Sequence, residues 1–62
     1  MFEIMKYREF HRTIVRQGWI EVRKSGSHVI YEKNGKRYPV PFHGSKEIPE
    51  GLRLKIEKEM GL

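Results

Sequence analysis

Apolar side chains recur every three or four positions near the start of the chain. Tyr7, Phe10 and Ile14 follow this spacing, and charged residues fill most of the positions between them. Such a period is typical of an amphipathic helix that packs one face on a core. We therefore predict a first helix from Lys6 to Gln17, with Gly18 as its C-terminal cap.

The apolar pattern changes from helical to alternating in the middle of the chain. Three segments rich in β-branched and aromatic residues are separated by the turn pairs Ser25-Gly26 and Asn34-Gly35. They run from Trp19 to Arg23, from Ser27 to Lys33 and from Lys36 to Pro41. These segments predict three antiparallel strands joined by two tight turns, in the order 1-2-3.

The turn pairs also predict the register of the sheet. Asn34 and Gly35 both tolerate the positive φ of a two-residue type I′ turn, which pairs Lys33 with Lys36 and, counting back, His28 with Pro41. The same count about Ser25-Gly26 pairs Arg23 with His28, Val22 with Val29 and Ile20 with Tyr31. The predicted core face then carries Ile20, Val22, Val29, Tyr31, Tyr38 and Val40, and the open face carries Glu21, Arg23, His28, Ile30, Glu32, Arg37, Pro39 and Pro41.

Two prolines and a tryptophan affect the predicted sheet. Pro39 and Pro41 both fall at positions that do not bond to the second strand, so the third strand must be a sheet edge. Strict alternation would put Trp19 on the open face, but we expect a twist at the start of the strand to turn it toward the core.

A second helix is predicted from Pro49 to Met60, with Pro49 at its first position and Gly61 at its exit. Its core stripe is Leu52, Ile56 and Met60, Ile48 packs ahead of it, and Arg53, Lys55 and Lys58 are expected in solvent. The predicted fold is α+β, in the order α-β-β-β-α, with a three-stranded antiparallel sheet and two helices on one of its faces. We expect residues 1–62 to form one domain, with Met1 to Met5 as a frayed or loosely docked extension.

Composition narrows the class of protein. The chain has 62 residues, and 13 Lys and Arg against 8 acidic residues give a formal net charge of +5, which favours a polyanion or an acidic protein as partner. The absence of cysteine excludes disulfide scaffolds, thiol nucleophiles and the usual structural zinc sites. No apolar stretch approaches a membrane span, so we expect a cytoplasmic protein with no membrane partner.

The three histidines are the conventional acid–base candidates near neutral pH. His11 on the first helix is assigned a structural or surface role, and His43 in the Pro-Phe-His-Gly loop is assigned loop ordering, with RNA contact as the alternative. His28 lies on the open face of the central strand, and this position alone supports a catalytic role and an incidental one equally. The histidines lack a carboxylate or cysteine at ligand spacing, so we expect no metal and no cofactor.

Basic residues surround the turns and the final loop, namely Lys24, Lys33, Lys36, Arg37 and Lys46. They suit a phosphate-binding surface or an ordinary solvated one, and the pattern favours neither.

Four segments carry a family resemblance: Gly18-Trp19, Arg23 to Tyr31, Val40 to His43, and Ile56 to Leu62. Over Lys6 to Leu62 the chain resembles the HicA toxin family of bacterial and archaeal toxin–antitoxin systems. That resemblance implies a small mRNA interferase with a fold like the double-stranded RNA-binding domain and a HicB-type antitoxin as partner. The Gly-Ser-His segment entering the second strand is its most specific element, and it makes His28 the catalytic residue.

The resemblance favours a metal-independent RNA endonuclease that arrests translation by cutting mRNA. Its expected RNA contacts are Arg23, Lys24, Ser27, Lys36, Arg37, His43 and Lys46. A non-catalytic RNA-binding module is the main alternative, and a pure interaction domain is a third. Cleavage of RNA by the pure protein separates the first from the second.

Overall fold

The computed structural model describes residues 4–62 and has the element order predicted from the sequence. Its elements are α1 (Tyr7–Arg16), β1 (Ile20–Ser25), β2 (His28–Lys33), β3 (Lys36–Pro41) and α2 (Glu50–Met60). The three strands form one antiparallel sheet in the order β1-β2-β3. The α+β prediction is therefore confirmed.

The β2–β3 hairpin has the register that the Asn34-Gly35 pair predicts. Asn34 and Gly35 have φ values of 51° and 79°, as a type I′ turn requires. All six predicted Cα pairs occur, from Lys33 with Lys36 to His28 with Pro41. The two turn residues thus determine which side chains of β2 and β3 meet the helices.

The β1–β2 register is different from the predicted one, and this prediction was wrong. Ser25, not Arg23, pairs with His28, so the turn residues are Gly26 and Ser27. A β-bulge between Glu21 and Arg23 then shifts the register once more. A bulge adds one residue to one strand, which reverses the alternation of faces beyond it.

The bulge moves the start of β1 out of the predicted core. Ile20 pairs with Glu32 on the open face and is 67% exposed, and Val22 at the bulge is 41% exposed. Glu21, expected on the open face, pairs instead with buried Tyr31. The other four predicted core residues of the sheet do face the helices: Val29, Tyr31 and Val40 are buried, and Tyr38 is half-buried.

Both helices contribute to one core beneath the sheet. Its buried apolar members are Tyr7, Phe10, Ile14, Trp19, Val29, Tyr31, Val40, Ile48, Ile56 and Met60. Trp19 is buried as expected, although it precedes β1 rather than starting it. Gly18, with φ of 100°, reverses the chain after α1, and Lys33 donates from Nζ to the carbonyl of Gln17 at 2.7 Å.

The second helix differs from the prediction in two details, at Pro49 and at Arg53. Pro49 precedes α2 as its N-cap residue rather than opening it, while Gly61 takes the left-handed conformation expected at the exit. Arg53 is buried, not solvated, and an ion pair with Glu57 at 2.9 Å along the helix offsets the cost of burying its charge. Met5 is half-buried and its carbonyl accepts a hydrogen bond from Ile48, so this residue is docked.

The rest of the predicted N-terminal extension, residues 1–3, falls outside the described residues. Across residues 4–62, neither helix combines the length and the apolar character that a membrane crossing needs.

Candidate active site

His28 is the first residue of β2 and its side chain is exposed. It alternates with buried Val29, so it belongs to the face of the sheet that the helices leave open. Its Cα partners are Ser25 on β1 and Pro41 on β3, neither of which carries a large side chain. The imidazole is therefore accessible at one end of a rigid central strand.

Two of the predicted cationic residues share this open face. Arg23 pairs with Ile30, the next residue of β2 after His28 on the open face, because a regular two-residue alternation from the pair of Ser25 with His28 places it there. Arg37 pairs with Glu32 and binds its carboxylate at 2.8 Å, with both side chains substantially exposed. Arg37 is thus partly neutralised, and Arg23 is the open-face cation beside His28.

Two other predicted contacts lie away from His28. Lys24 pairs with Val29 on the helix-covered face, where it borders a small depression together with His11 and Tyr31. Lys36 begins β3 at the Asn34-Gly35 turn, so it lies at the opposite end of the hairpin from His28. The sheet therefore does not gather all of the predicted RNA contacts into one surface.

The loop after β3 is held against both the first turn and α1. The amide of Phe42 donates to the carbonyl of Ser27 at 2.7 Å, and the amide of Tyr7 donates to that of Lys46 at 2.9 Å. His43 packs edge-on against the ring of Tyr7, with centroids 4.9 Å apart. The side chains of Ser27, His43 and Lys46 are exposed: Ser27 directly precedes His28 in the first turn, and His43 and Lys46 belong to the loop after β3.

His11 is buried and makes two hydrogen bonds, as a structural histidine does. Its Nε2 lies 2.8 Å from the carbonyl oxygen of Pro41, and its Nδ1 lies 2.6 Å from the hydroxyl of Tyr31. A carbonyl only accepts, so Nε2 carries the proton and Nδ1 of the neutral ring accepts from Tyr31. These two hydrogen bonds connect α1 to Tyr31 on β2 and to Pro41 on β3, and Pro41 is the Cα partner of His28.

Burial shifts the pKa of both His11 and Tyr31. It lowers the pKa of His11, against the opposing effects of the Pro41 hydrogen bond and the nearby Glu21 carboxylate. Burial also raises the pKa of Tyr31 to about 12, with a further contribution from Glu21. The neutral forms of both groups are favoured, and these are the forms that the hydrogen bonds require.

A sequence signal for the burial of His11 was present. Tyr7, Phe10, His11 and Ile14 follow the i, i+3, i+4, i+7 spacing of a helix face turned toward a core. The hydrogen bond to Tyr31 joins residues twenty positions apart, so it depends on tertiary packing that the helical spacing does not contain.

Within residues 4–62, no three His, Cys, Asp or Glu side chains come close enough together to hold a metal ion.

A small antiparallel sheet, covered on one face by two helices and carrying an exposed histidine on the other, has the architecture of a double-stranded RNA-binding-domain-like protein. A family model described as HicA toxin of bacterial toxin-antitoxin matches residues 7–62. The chain belongs to the HicA toxin family.

Curated relatives match at nearly full length. The chain is 47% identical over 58 residues to a probable mRNA interferase HicA of Pseudomonas fluorescens, covering 94% of this chain and 97% of that protein. It is 43% identical to a probable mRNA interferase HicA 1 of Photorhabdus laumondii, covering 94% of this chain and 100% of the relative. A probable mRNA interferase toxin HicA of Escherichia coli K12 is 38% identical, with 94% and 98% covered. Comparison with solved structures gave no match.

Proposed function

We propose that this protein is the toxin of a toxin–antitoxin system, an mRNA interferase that cleaves RNA through the single catalytic residue His28. The observation that carries the proposal is an exposed histidine, fixed on the open face of the central strand, in a chain of the HicA toxin family. Cleavage of mRNA would arrest translation in the cytoplasm.

His28 acts as the general base in this mechanism. Its imidazole takes the proton of a ribose 2′-hydroxyl, and the 2′-oxygen attacks the adjacent phosphorus. The bond to the 5′-oxygen breaks, and that oxygen departs with a proton drawn from solvent. The products are a 2′,3′-cyclic phosphate and a 5′-hydroxyl end, and no bound nucleophile or metal is needed.

Arg23 is the cation best suited to support this step. It lies on the same face as His28, two residue pairs along the sheet, where a guanidinium can stabilise charge developing on the phosphate oxygens. Ser27 and the exposed His43 and Lys46 border the same end of the sheet, and they position the RNA strand. Arg37, Lys24 and Lys36 contact more distant phosphates, since they lie along the sheet or on its other face.

Product analysis tests the chemistry directly. Purified protein is incubated with a defined RNA in the presence of EDTA, and the new ends are identified by mass spectrometry. Cleavage that persists in EDTA and leaves a cyclic or 3′-phosphate supports the mechanism. A 3′-hydroxyl end would exclude attack by the 2′-oxygen, and binding without cleavage would favour a non-catalytic RNA-binding module.

A pair of histidine variants tests the assignment of the base. His28→Ala removes an exposed side chain, so the fold should persist while the cleavage rate falls by about 10²–10⁴-fold. His43→Ala, also exposed, removes a predicted RNA contact rather than the base, so it should weaken RNA binding and lower the rate much less than His28→Ala does. Parental cleavage and growth arrest by folded His28→Ala would show that another residue is the base.

A HicB-type antitoxin is the expected protein partner. The net charge of +5 favours an acidic surface on that protein, and inhibition should cover His28. A stable complex should bury at least about 1,000 Å². Hydrogen exchange on the complex should protect the amides around His28, and protection confined to the helices would refute direct occlusion.

A further inference from the structure

A groove lies along α1, on the helix-bearing side of the domain. Its volume is about 610 Å³. Its lining is formed by Arg8, His11, Arg12, Val15, Arg16, Tyr31 and Phe42. The floor of the groove is formed by the buried aromatic rings of His11 and Tyr31. Val15 and Phe42 add apolar side chains that remain 54% and 40% exposed. Exposed apolar side chains of this size, grouped in one groove, indicate a binding surface.

The rim of this groove is an arginine ridge, formed by Arg8, Arg12 and Arg16. Their spacing of four residues corresponds to about 6 Å between successive side chains along the helix, so all three line the same groove. Among residues 4–62 the ion pairs are Arg37 with Glu32 and Arg53 with Glu57, so none of them involves the ridge. This arrangement is suited to a linear anion with repeated charges.

The groove opens toward the end of the sheet that carries His28. Phe42 follows Pro41, the Cα partner of His28, and its amide donates to the carbonyl of Ser27 at 2.7 Å. The ring of Phe42 contacts His11 edge-on at a centroid distance of 4.9 Å, on the helix side. A chain that leaves the groove at Phe42 therefore meets the edge of the sheet beside His28.

We infer that the groove binds single-stranded RNA flanking the cleaved bond, with phosphates on the arginine ridge and a base stacked on Phe42. This inference rests on the proposed function and extends it from the reacting phosphate to the neighbouring nucleotides. Cations that follow a backbone beside an exposed aromatic ring are the combination that sequence-tolerant single-strand binding uses. Arginine suits the task because its planar fork both pairs with phosphate and stacks on bases.

Two acidic residues limit where the RNA strand can run. Glu9 borders a depression beside Arg8 and Arg12, and Glu21 lies at the other side of the groove floor. Glu21 and Lys24 border a smaller depression of about 120 Å³ that shares His11, Tyr31 and Phe42 with the groove. The carboxylate of Glu21 repels phosphates. The sugar–phosphate backbone of the RNA therefore follows the arginine side of the groove, and only a base reaches toward this depression.

The test measures RNA binding by fluorescence anisotropy, with a labelled single-stranded oligoribonucleotide of about a dozen nucleotides. All proteins carry His28→Ala so that the probe stays intact. The Arg12→Gln/Arg16→Gln variant is compared with Lys55→Gln/Lys58→Gln, which removes the same charge from exposed positions of α2. The arginine variant should lower the slope of log Kd against log salt by about 1.4, and the lysine control should leave it unchanged.

The aromatic contact has its own pair of variants. Phe42→Ala should raise Kd about tenfold, and Phe42→Tyr, which keeps a ring, should stay near the parental value. Equal slopes for the arginine and lysine variants, or no RNA binding by the His28→Ala parent, would overturn the inference. So would arginine variants that bind RNA normally but escape a HicB-type antitoxin, because the groove would then be a protein-docking site.

Failure of the proposed function has a different signature. If the chain with intact His28 binds RNA with the predicted salt slope and does not cut it, the catalytic proposal is wrong and the groove assignment stands. If the chain cuts RNA and the groove variants bind like the parent, only the groove assignment is wrong.

Discussion

The hydrogen bond between Tyr31 and His11 offers a sharp test of how the fold is held together. Tyr31→Phe removes only the hydroxyl that donates to Nδ1 of His11 at 2.6 Å. The ring of Tyr31 stays in the core, and Nε2 of His11 still donates to the carbonyl of Pro41. The variant therefore leaves a single buried acceptor without a donor.

The expected cost is large for so small a domain. An unsatisfied buried polar atom costs about 1–3 kcal/mol. At about 0.05–0.15 kcal/mol per residue, the whole free energy of unfolding is only about 3–9 kcal/mol. The melting temperature should fall by about 4–8 °C for each kcal/mol lost, so the transition should shift visibly.

Urea and thermal unfolding can both be followed through Trp19, the single tryptophan, which is 6% exposed in the folded chain. The same substitution is then made in a His11→Leu background, where the hydroxyl of Tyr31 has already lost its partner. There Tyr31→Phe should be nearly neutral, giving a coupling energy of about 1–3 kcal/mol. A cost below about 0.5 kcal/mol in both backgrounds at pH 7.5 would refute a stabilising bond.

Three further predictions concern the core and its titration. Burial lowers the pKa of His11, so the unfolded chain binds a proton more readily than the folded one. The free energy of unfolding should therefore fall as pH drops below 6.5. Urea titrations at several pH values should show this slope, and His11→Leu should reduce it. Val29→Asp should abolish folding by circular dichroism, whereas Val22→Asp at the exposed bulge should change stability by about 0.5 kcal/mol or less. Tyr38, which donates to the carboxylate of Glu59, should ionise with a pKa of about 12 in an ultraviolet titration, and Glu59→Gln should lower that value.

The sequence predicts the β2–β3 hairpin well because its register depends on local chemistry. Asn34 and Gly35 accept positive φ, and this choice of turn fixes every later pair along the two strands. The exposure of His28 follows from that register, so the candidate base was predictable from residues near it in the chain.

The β1 strand was predictable only in part. Pairing Ser25 instead of Arg23 with His28 moves the register by two residues, and a shift of two keeps every side chain on its predicted face. The bulge at Val22 then reverses the faces of Ile20 and Glu21. No Gly or Pro marks this bulge in the sequence, so the change depends on tertiary packing.

The α1 groove was less predictable, since it requires three separate elements to meet. The four-residue spacing of Arg8, Arg12 and Arg16 is visible in the sequence, but such a stripe is ordinarily a solvated face. Its meaning changes when Phe42, from the loop after β3, lines the same groove. That contact depends on the hydrogen bond of His11 to Pro41, which joins residues thirty positions apart.

The register set by the first turn and the buried histidine together give the domain two basic surfaces from one small sheet. Counted from the pair of Ser25 with His28, Arg23 faces outward beside Ile30, while Lys24 faces the helices opposite Val29. His11 holds the end of β3 so that Phe42 follows onto the helix side, at the edge where His28 faces outward. An RNA strand crossing that edge would thus meet cations on both faces and the candidate base between them. On the proposed function, such a path would draw its binding energy from phosphates on either side of the cleaved bond.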